Sequence, residues 1–316
     1  MVKMYRTDMI TNQFQEVNTI ERGTWVNMIN PTEEEICTIC DNMKIQQDFI
    51  RYSLDFEEKA RIDVEEDDGT VLFIIDVPII EQEHGNTIYT TMPLGMIVVR
   101  DDYFITVALR KTKLIQNFEE GKVKNFATYK KSRFLLQLMY NNSSDFLRYL
   151  KRINKETEIA EYVLKNSMKN KELLKLLSLE KGLVYFTTSL KSNEAVMERT
   201  LKIKNIKLYE DDEDILEDAI IENKQAIEMS KIYSDILNGT MDAYASIISN
   251  NLNGVMKFLA SITIVISIPT LIASYWGMNV AVPMQNNPFG FALIVAGSLL
   301  VGIIAMIWLK RKDMLD

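Results

Sequence analysis

The feature that most constrains this chain is a long stretch near its C-terminal end without a charged side chain. No Asp, Glu, Lys, Arg or His lies between Lys257 and Lys310. Within it, Phe258–Trp276 and Phe289–Leu309 are mostly apolar segments of 19 and 21 residues. About 20 apolar residues in a helix cross the hydrocarbon of a bilayer. The second segment is apolar on all sides, which is typical of a membrane span and implausible for a core helix of a soluble domain of this size, so the sequence predicts a transmembrane hairpin.

Basic residues flank this hairpin on one side only. Lys257 precedes the first span, and Lys310-Arg311-Lys312 follows the second. The connection from Val280 to Pro288 carries no charge. The positive-inside rule therefore places both termini in the cytoplasm of a multi-pass cell-membrane protein.

The chain upstream of the hairpin carries nearly all the charge. The net charge of the whole chain, −8, argues against a nucleic-acid partner, because phosphate contacts need clustered Lys and Arg. The first third alternates strand-like runs with charged turns, which predicts a sheet with flanking helices. The expected strands are Trp25–Ile29, Val71–Val77, Thr87–Thr91, Gly95–Val99 and Tyr103–Ala108. After the first of them, Thr32 and Glu35 are spaced as a helix N-cap and its capping-box partner.

Helical periodicity follows, with a turn predicted at Lys191-Ser192-Asn193. No proline occurs between Pro93 and Pro269, and an apolar stripe begins near Asp211. We expect one helix from about residue 211 to about residue 275, roughly 100 Å long. Such a helix needs partners, either other helices of the chain or copies of itself.

The predicted fold class is an α/β cytoplasmic domain with a long stalk helix that continues into the two-helix hairpin. The predicted regions are a sheet region at 1–121, a helical region at 122–210, the stalk at 211–257, the first span at 258–276, an outer loop at 277–288, the second span at 289–309 and a basic tail at 310–316.

The first span has a polar face. Thr263, Ser267, Thr270 and Ser274 follow one another at steps of four, three and four, which places them on one side of a helix. The same face continues toward the cytoplasm as Ala260, Met256 and Asn253. This favours the first span as the pore-lining helix. Alternatively, the hydroxyls bond to their own backbone or join neighbouring helices.

Pro269 interrupts the hydrogen bonding of the first span. It cannot donate to the carbonyl of Val265, so that oxygen is freed. The proline either kinks the helix or offers this oxygen to the lumen.

Directly after the first span comes Tyr275-Trp276-Gly277-Met278-Asn279. This run resembles the CorA family of magnesium channels, whose motif is Gly-Met-Asn at the outer end of the first of two C-terminal transmembrane helices. Asn253 to Lys257 is similar to the family's inner pore entrance, and the helix upstream resembles its stalk. The resemblance covers the whole chain and is strongest over residues 210–316.

The resemblance implies a homopentamer with a funnel-shaped cytoplasmic domain and uptake of hydrated Mg²⁺, often with Co²⁺ or Ni²⁺ also accepted. Asn279 would select the ion, because neutral amide oxygens can accept hydrogen bonds from its water shell. Gly277 is expected to end the helix in a left-handed conformation. Many members carry an acidic residue just beyond the motif, and residues 280–288 have none.

The family also uses cytoplasmic Mg²⁺ between subunits to hold the pore closed. Counting back from Asn253 places Asp218 at the stalk position for this role, and Glu119 or Glu120 are candidate partners on the neighbouring subunit. The alternative for the acidic residues around Asp218 is a solvated helix N-terminus.

The sequence is also consistent with other functions. The chain could be a zinc or cobalt–nickel transporter of the same superfamily, or a membrane-anchored sensor without a pore. A membrane-anchored enzyme is disfavoured, because the sequence has no P-loop, dinucleotide fingerprint or histidine constellation. Cys37 and Cys40 are expected to be reduced thiols, and His84 to lie in an exposed hairpin turn rather than a zinc site.

Overall fold

The computed structural model describes residues 1–83, 86–100, 102–166, 170–203, 210–283, 286–312 and 314. The chain divides into two compact units, Met1–Asn238 and Gly239–Asp316. His84 lies outside the described residues.

The first unit is built on one mixed sheet. Its strands, within the described residues, are β1 (Val2–Thr7), β2 (Phe14–Val17), β3 (Thr24–Ile29), β4 (Arg61–Val64), β5 (Val71–Glu83), β6 (Asn86–Val99) and β7 (Tyr103–Ala108). Their order is β2-β1-β3-β7-β6-β5-β4. Neighbours are antiparallel except β3 and β7, which run parallel with Trp25 opposite Phe104.

The helices are α1 (Glu33–Met43), α2 (Gln47–Tyr52), α3 (Lys113–Glu119), α4 (Lys131–Asn166), α5 (Asn170–Thr200), α6 (Glu210–Trp276) and α7 (Gly290–Lys310). The strands alternate their side chains between two cores, as the period of a strand requires. Trp25 packs with Phe134 of α4 on one face of the sheet. Its neighbour Val26 packs with Ile36 of α1 on the other face. The first unit therefore has three layers.

The capping box predicted at the start of α1 is confirmed. The backbone N–H of Glu35 donates to Thr32 Oγ1 at 3.2 Å, and the backbone N–H of Thr32 donates to the Glu35 carboxylate at 2.9 Å. Two of the N–H groups left free at a helix start are thereby satisfied.

Two of the expected strands are one strand. The segments Thr87–Thr91 and Gly95–Val99 both belong to β6, which continues through Pro93. Pro93 lies opposite Asp76, and the N–H and C=O of Asp76 both bond to the side chain of Asn193 instead, each at 2.8 Å. This strand pair needs no donor from Pro93, so the proline is tolerated.

The turn predicted at Lys191-Ser192-Asn193 is wrong, because α5 continues to Thr200. Asn193 is fully buried and faces the sheet. Its carboxamide replaces a neighbouring strand at Asp76, since the pairing of β4 with β5 stops at Ile74. The polar residue that suggested a turn is thus a buried partner of the sheet.

The second unit contains the C-terminal part of α6 together with α7. Both helices are long and apolar enough to cross a membrane. Large apolar side chains such as Phe291, Leu299 and Trp308 remain exposed on α7. The α/β domain, the long helix and the pair of apolar helices agree with the predicted fold class.

Candidate ion path and regulatory site

The predicted polar face of α6 is open along its whole length in the single chain. Its seven members are all exposed, namely Asn253, Met256, Ala260, Thr263, Ser267, Thr270 and Ser274. The opposite side of the helix is more buried and includes Ser261, Val265, Pro269 and Ile272. The two sets lie about half a turn apart on a helix of 3.6 residues per turn.

The hydroxyls on the open face donate to backbone carbonyls of their own helix. Thr263 Oγ1 bonds to Leu259 O at 2.8 Å, and Ser267 Oγ bonds to Thr263 O at 2.7 Å. Thr270 Oγ1 bonds to Ile266 O at 2.9 Å. This is the backbone bonding that the sequence left open as an alternative to pore lining. With these hydrogens engaged, the oxygens of this face can still accept hydrogen bonds through their lone pairs.

The second apolar helix packs close to Pro269. A Cβ built at Gly302 of α7 would lie 3.6 Å from Pro269 Cγ and 3.9 Å from Val265 O. The carbonyl freed by the proline therefore faces α7 rather than the polar face of α6. Ser298 and Gly302, four residues apart, are both buried on α7. Small residues at this spacing allow transmembrane helices to approach closely.

The Gly-Met-Asn run lies just past the end of α6. Gly277 donates its N–H to Ala273 O at 2.9 Å and continues the helical pattern for one more bond. The left-handed conformation expected for Gly277 is wrong, because among the described glycines only Gly23, Gly69 and Gly121 have positive φ. Met278 and Asn279 are exposed.

The loop after the motif is tied back to the helix end. The indole Nε1 of Trp276 donates to Pro283 O at 3.0 Å. Met284 and Gln285, further along this loop, lie outside the described residues. The aromatic residue before the motif thus supports the turn that holds it.

The three carboxylates predicted for regulation lie in different surroundings. Asp218 is exposed on α6 and lines a cleft of about 530 Å³. Glu119 is largely buried, where it accepts hydrogen bonds from Tyr5 and Asn27 and forms an ion pair with Lys111. Glu120 is exposed.

Glu120 has partners within its own chain. It pairs with Lys122 and accepts a hydrogen bond from Gln116, and both interactions lower the pKa of its carboxyl. In the described part of the chain, no group of three or more His, Cys, Asp or Glu side chains could hold a metal ion. A single chain therefore does not assemble the regulatory site from the predicted residues.

Sequence reasoning missed three features of these sites. The contact of Gly302 with Pro269 has a signal in the small-residue spacing of α7. The bond from Trp276 to Pro283 has no signal in the sequence. The same holds for the position of Lys122 and Lys124 in the cleft of Asp218.

A family model described as "CorA-like Mg2+ transporter protein" matches residues 21–311 of this chain. A protein of Methanocaldococcus jannaschii named "Cobalt/magnesium transport protein CorA" is 30% identical over 303 residues. The match spans 92% of this chain and 91% of the relative.

Solved structures give a corresponding result. The complete structure of the CorA magnesium transporter from M. jannaschii superposes with a TM-score of 0.83 at 25% identity, and the match covers 98% of this chain and 97% of that one. The cytoplasmic domain of ZntB from Vibrio parahaemolyticus has a TM-score of 0.60 at 11% identity, over 79% of this chain and 97% of that one. At that identity the second match shows a shared fold only.

Proposed function

Because this chain belongs to the CorA-like Mg²⁺ transporter family, we propose that it is a channel subunit through which hydrated Mg²⁺, and also Co²⁺, enters the cell. The relative that matches most of the chain is named for cobalt and magnesium, which favours these ions over zinc. Members of this family are transporters rather than enzymes.

One observation carries the proposal. The open face of α6 presents hydroxyl oxygens whose hydrogens are already bonded to the helix backbone. Mg²⁺ sheds its water reluctantly, and the hydrogens of that water point outward from the ion. A face that only accepts hydrogen bonds suits such an ion. Several copies of α6 around one axis would enclose a water-filled path lined by these hydrogen-bond acceptors.

The mouth of the proposed path is the Gly277-Met278-Asn279 turn. The exposed carboxamide of Asn279 can hold the water shell of an ion without replacing it. The bond from Trp276 to Pro283 supports the loop on its outer side. The inner end is formed by Asn253 and Met256, which are also exposed.

The assembly that this path requires is a homopentamer in the cell membrane. Both termini would then lie in the cytoplasm, with Lys257 and Lys310 at the inner surface. The lipid bilayer would cover the exposed apolar side chains of α7, such as Phe291 and Trp308.

The proposed regulation is by cytoplasmic Mg²⁺ that joins carboxylates of neighbouring subunits. Asp218 is exposed and suits this role. Glu120 is exposed as well, and Mg²⁺ would have to replace its bonds from Lys122 and Gln116. Glu119 suits it less well, because Tyr5, Asn27 and Lys111 already engage its carboxylate. Loss of Mg²⁺ would leave these carboxylates to repel one another and would favour the open state.

The test is Mg²⁺ influx into liposomes that contain the purified protein. Asn279→Ala should lower the influx rate or its preference for Mg²⁺ over Ca²⁺, because the ring of amide oxygens is lost. Asn286→Ala removes the same group from an exposed position further along the loop and serves as the matched control. Wild-type rate and selectivity in the Asn279 variant would remove this residue from the selectivity role. Liposomes that admit no divalent ion would favour a membrane sensor without a pore.

A further inference from the structure

The cleft beside Asp218 contains groups that the proposed ion path does not use. Its volume of about 530 Å³ lies in the range of pockets that hold small-molecule ligands. Its walls come from α4, α6 and the segment that follows α3. The side chains that give it chemical character are Lys122, Lys124, Gln137, Tyr140, Asn141 and Asp218.

Without a carboxylate from a neighbouring subunit, the charges of this cleft suit a bare Mg²⁺ ion poorly. Lys122 and Lys124 bring two ammonium groups, against the single carboxylate of Asp218. Lys122 is already paired with Glu120, whereas Lys124 has no ion pair among the described residues. Mg²⁺ in proteins is commonly held by one or two carboxylates together with the phosphates of a ligand. The two lysines fit a negatively charged ligand that binds together with its own metal ion.

Gln137 contributes a group that lacks a partner. Its Nε2 donates to Lys124 O at 3.0 Å, but its Oε1 is buried without a hydrogen bond. The residue is only 9% exposed. Because this oxygen is itself buried, it does not reach a ligand in the cleft, and Gln137 acts by holding the segment of Lys124 against α4.

Two neighbours of Gln137 add to the recognition surface. Asn141 donates to the backbone carbonyl of Gln137 at 2.7 Å, which fixes its carboxamide at the wall of the cleft. Tyr140 is half-buried, so part of its ring is available for stacking. The cleft thus offers two lysines, a carboxamide, an aromatic ring and one carboxylate.

We propose that this cleft binds a nucleoside polyphosphate, and that Asp218 contacts the Mg²⁺ that such a ligand carries. The phosphates lie at Lys122 and Lys124, and the base lies against Tyr140 and Asn141. An effect of this ligand on channel opening would rest on the regulatory role proposed for Asp218 under the proposed function. The binding itself does not require transport.

The experiment is calorimetry on the full-length protein purified in detergent. ATP is titrated with Mg²⁺ and with a chelator, and adenosine and tripolyphosphate are titrated separately. Mg²⁺–ATP should bind more tightly than either fragment. Tripolyphosphate binding as tightly as ATP would overturn recognition of the nucleoside, and no heat from ATP at millimolar concentration would overturn the site.

Variants separate the contributions of the charges. Lys124→Ala should weaken ATP binding about tenfold, the loss expected for one hydrogen bond to a charged group. Asp218→Asn should weaken Mg²⁺–ATP and strengthen metal-free ATP, because it removes both a metal ligand and a repelling charge. Lys191→Ala, on an exposed face of α5, is the control and should bind as wild type does. Equal effects of Asp218→Asn on both forms of ATP would contradict the metal contact.

Binding and transport can fail independently. Mg²⁺ influx without ATP binding would overturn this inference alone. ATP binding by a protein that conducts no ion would leave this site standing and remove the channel.

Discussion

Gly95 of β6 lies in close contact with Ser53, which follows α2 on one face of the sheet. A Cβ built at Gly95 would lie 1.9 Å from Oγ and 2.4 Å from Cβ of Ser53, the residue that follows α2. Ser53 is fully buried, and its hydroxyl donates to Phe49 O, so it has no room to move aside. A single missing side chain therefore sets the distance between two layers.

We expect Gly95→Ala to destabilise the folded protein by about 1–3 kcal/mol, the usual cost of overpacking a core. The midpoint of thermal unfolding of the purified full-length protein measures the effect. Adding Ser53→Gly removes the clashing atoms and should recover part of the loss. An unfolding midpoint of Gly95→Ala equal to that of the wild type would contradict the contact.

Asp76 makes the free energy of unfolding depend on pH. Burial raises the pKa of its carboxyl to about 6, and a hydrogen bond from Ser189 offsets part of this effect. Well below pH 3.8 the carboxyl is protonated in both the folded and the unfolded state, so its burial carries no charge penalty. Between about pH 3.8 and 6 the unfolded state releases this proton while the folded state keeps it, and above pH 6 the folded state buries the charge. The free energy of unfolding should therefore fall by up to about 3 kcal/mol over this interval.

Asp76→Asn keeps the shape of the side chain and removes the titration. Its unfolding midpoint should match the wild type near pH 3 and exceed it near pH 7.5. Parallel curves for the two proteins across this range would show that Asp76 does not titrate with a raised pKa.

At the scale of elements, the packing of α6 against α7 depends on a small residue of α7 at the height of Pro269. Gly302 lies beside Pro269 and the carbonyl of Val265, where a methyl group would make ordinary contacts. A longer side chain would push the helices apart.

This contact predicts different outcomes for two substitutions at one position. Gly302→Ala should be tolerated, because its Cβ would lie 3.6 Å from Pro269 Cγ. Gly302→Leu should lower the yield of folded protein in detergent several-fold, since overpacking costs about 1–3 kcal/mol. Size-exclusion chromatography of matched preparations measures this, and equal yields for the two variants would contradict the close packing.

Elements with a strong local pattern could be predicted from the sequence. The apolar spans, the long α6 and the capping box of α1 follow from composition and spacing within a few turns of helix. The short strands β1, β2 and β4 were missed, because runs of 6, 4 and 4 residues are too short to show a clear alternation of apolar and polar side chains. The continuity of α5 was missed because the partner of Asn193 is a strand more than 100 residues away.

The candidate sites also contain features with a local sequence pattern and features that form only by folding. The polar face of α6 and the Gly-Met-Asn run are local patterns and were predicted. The lysines near Asp218 belong to a segment about 95 residues earlier in the chain and are brought there only by folding. The conformation of Gly277 was mispredicted, because one further helical bond to Ala273 competes with the usual left-handed ending.

At the scale of the whole molecule, α6 exposes more apolar surface than a lone chain would keep in water. Ile221, Ile232 and Ile236 are each more than half exposed on its N-terminal half. Exposed apolar stripes of this kind mark interfaces. We expect other copies of the chain to cover them.

Native mass spectrometry in detergent should show an oligomer for the wild type and smaller species for Ile232→Asp. The substitution buries a charge at the interface, which costs several kcal/mol. Ile10→Asp, in a loop where the side chain is 95% exposed, is the control and should leave the oligomer intact. A monomeric wild type would exclude a path between copies of α6.

The regulatory proposal predicts a further change in the assembled protein. Mg²⁺ should protect α6 of the wild type from protease, because it holds neighbouring subunits together. Asp218→Ala should lose about tenfold of that protection at a fixed Mg²⁺ concentration, as expected for one lost charged ligand. Protection that stays unchanged would remove Asp218 from the regulatory site.

The backbone bonds of Thr263, Ser267 and Thr270 have a consequence for protons. A hydroxyl hands a proton along a water file only when its own hydrogen is free to reorient, and these three hydrogens are fixed to carbonyls of the preceding turn. A lumen lined by them would leave proton transfer to its water alone, because none of the three hydroxyls can act as a relay.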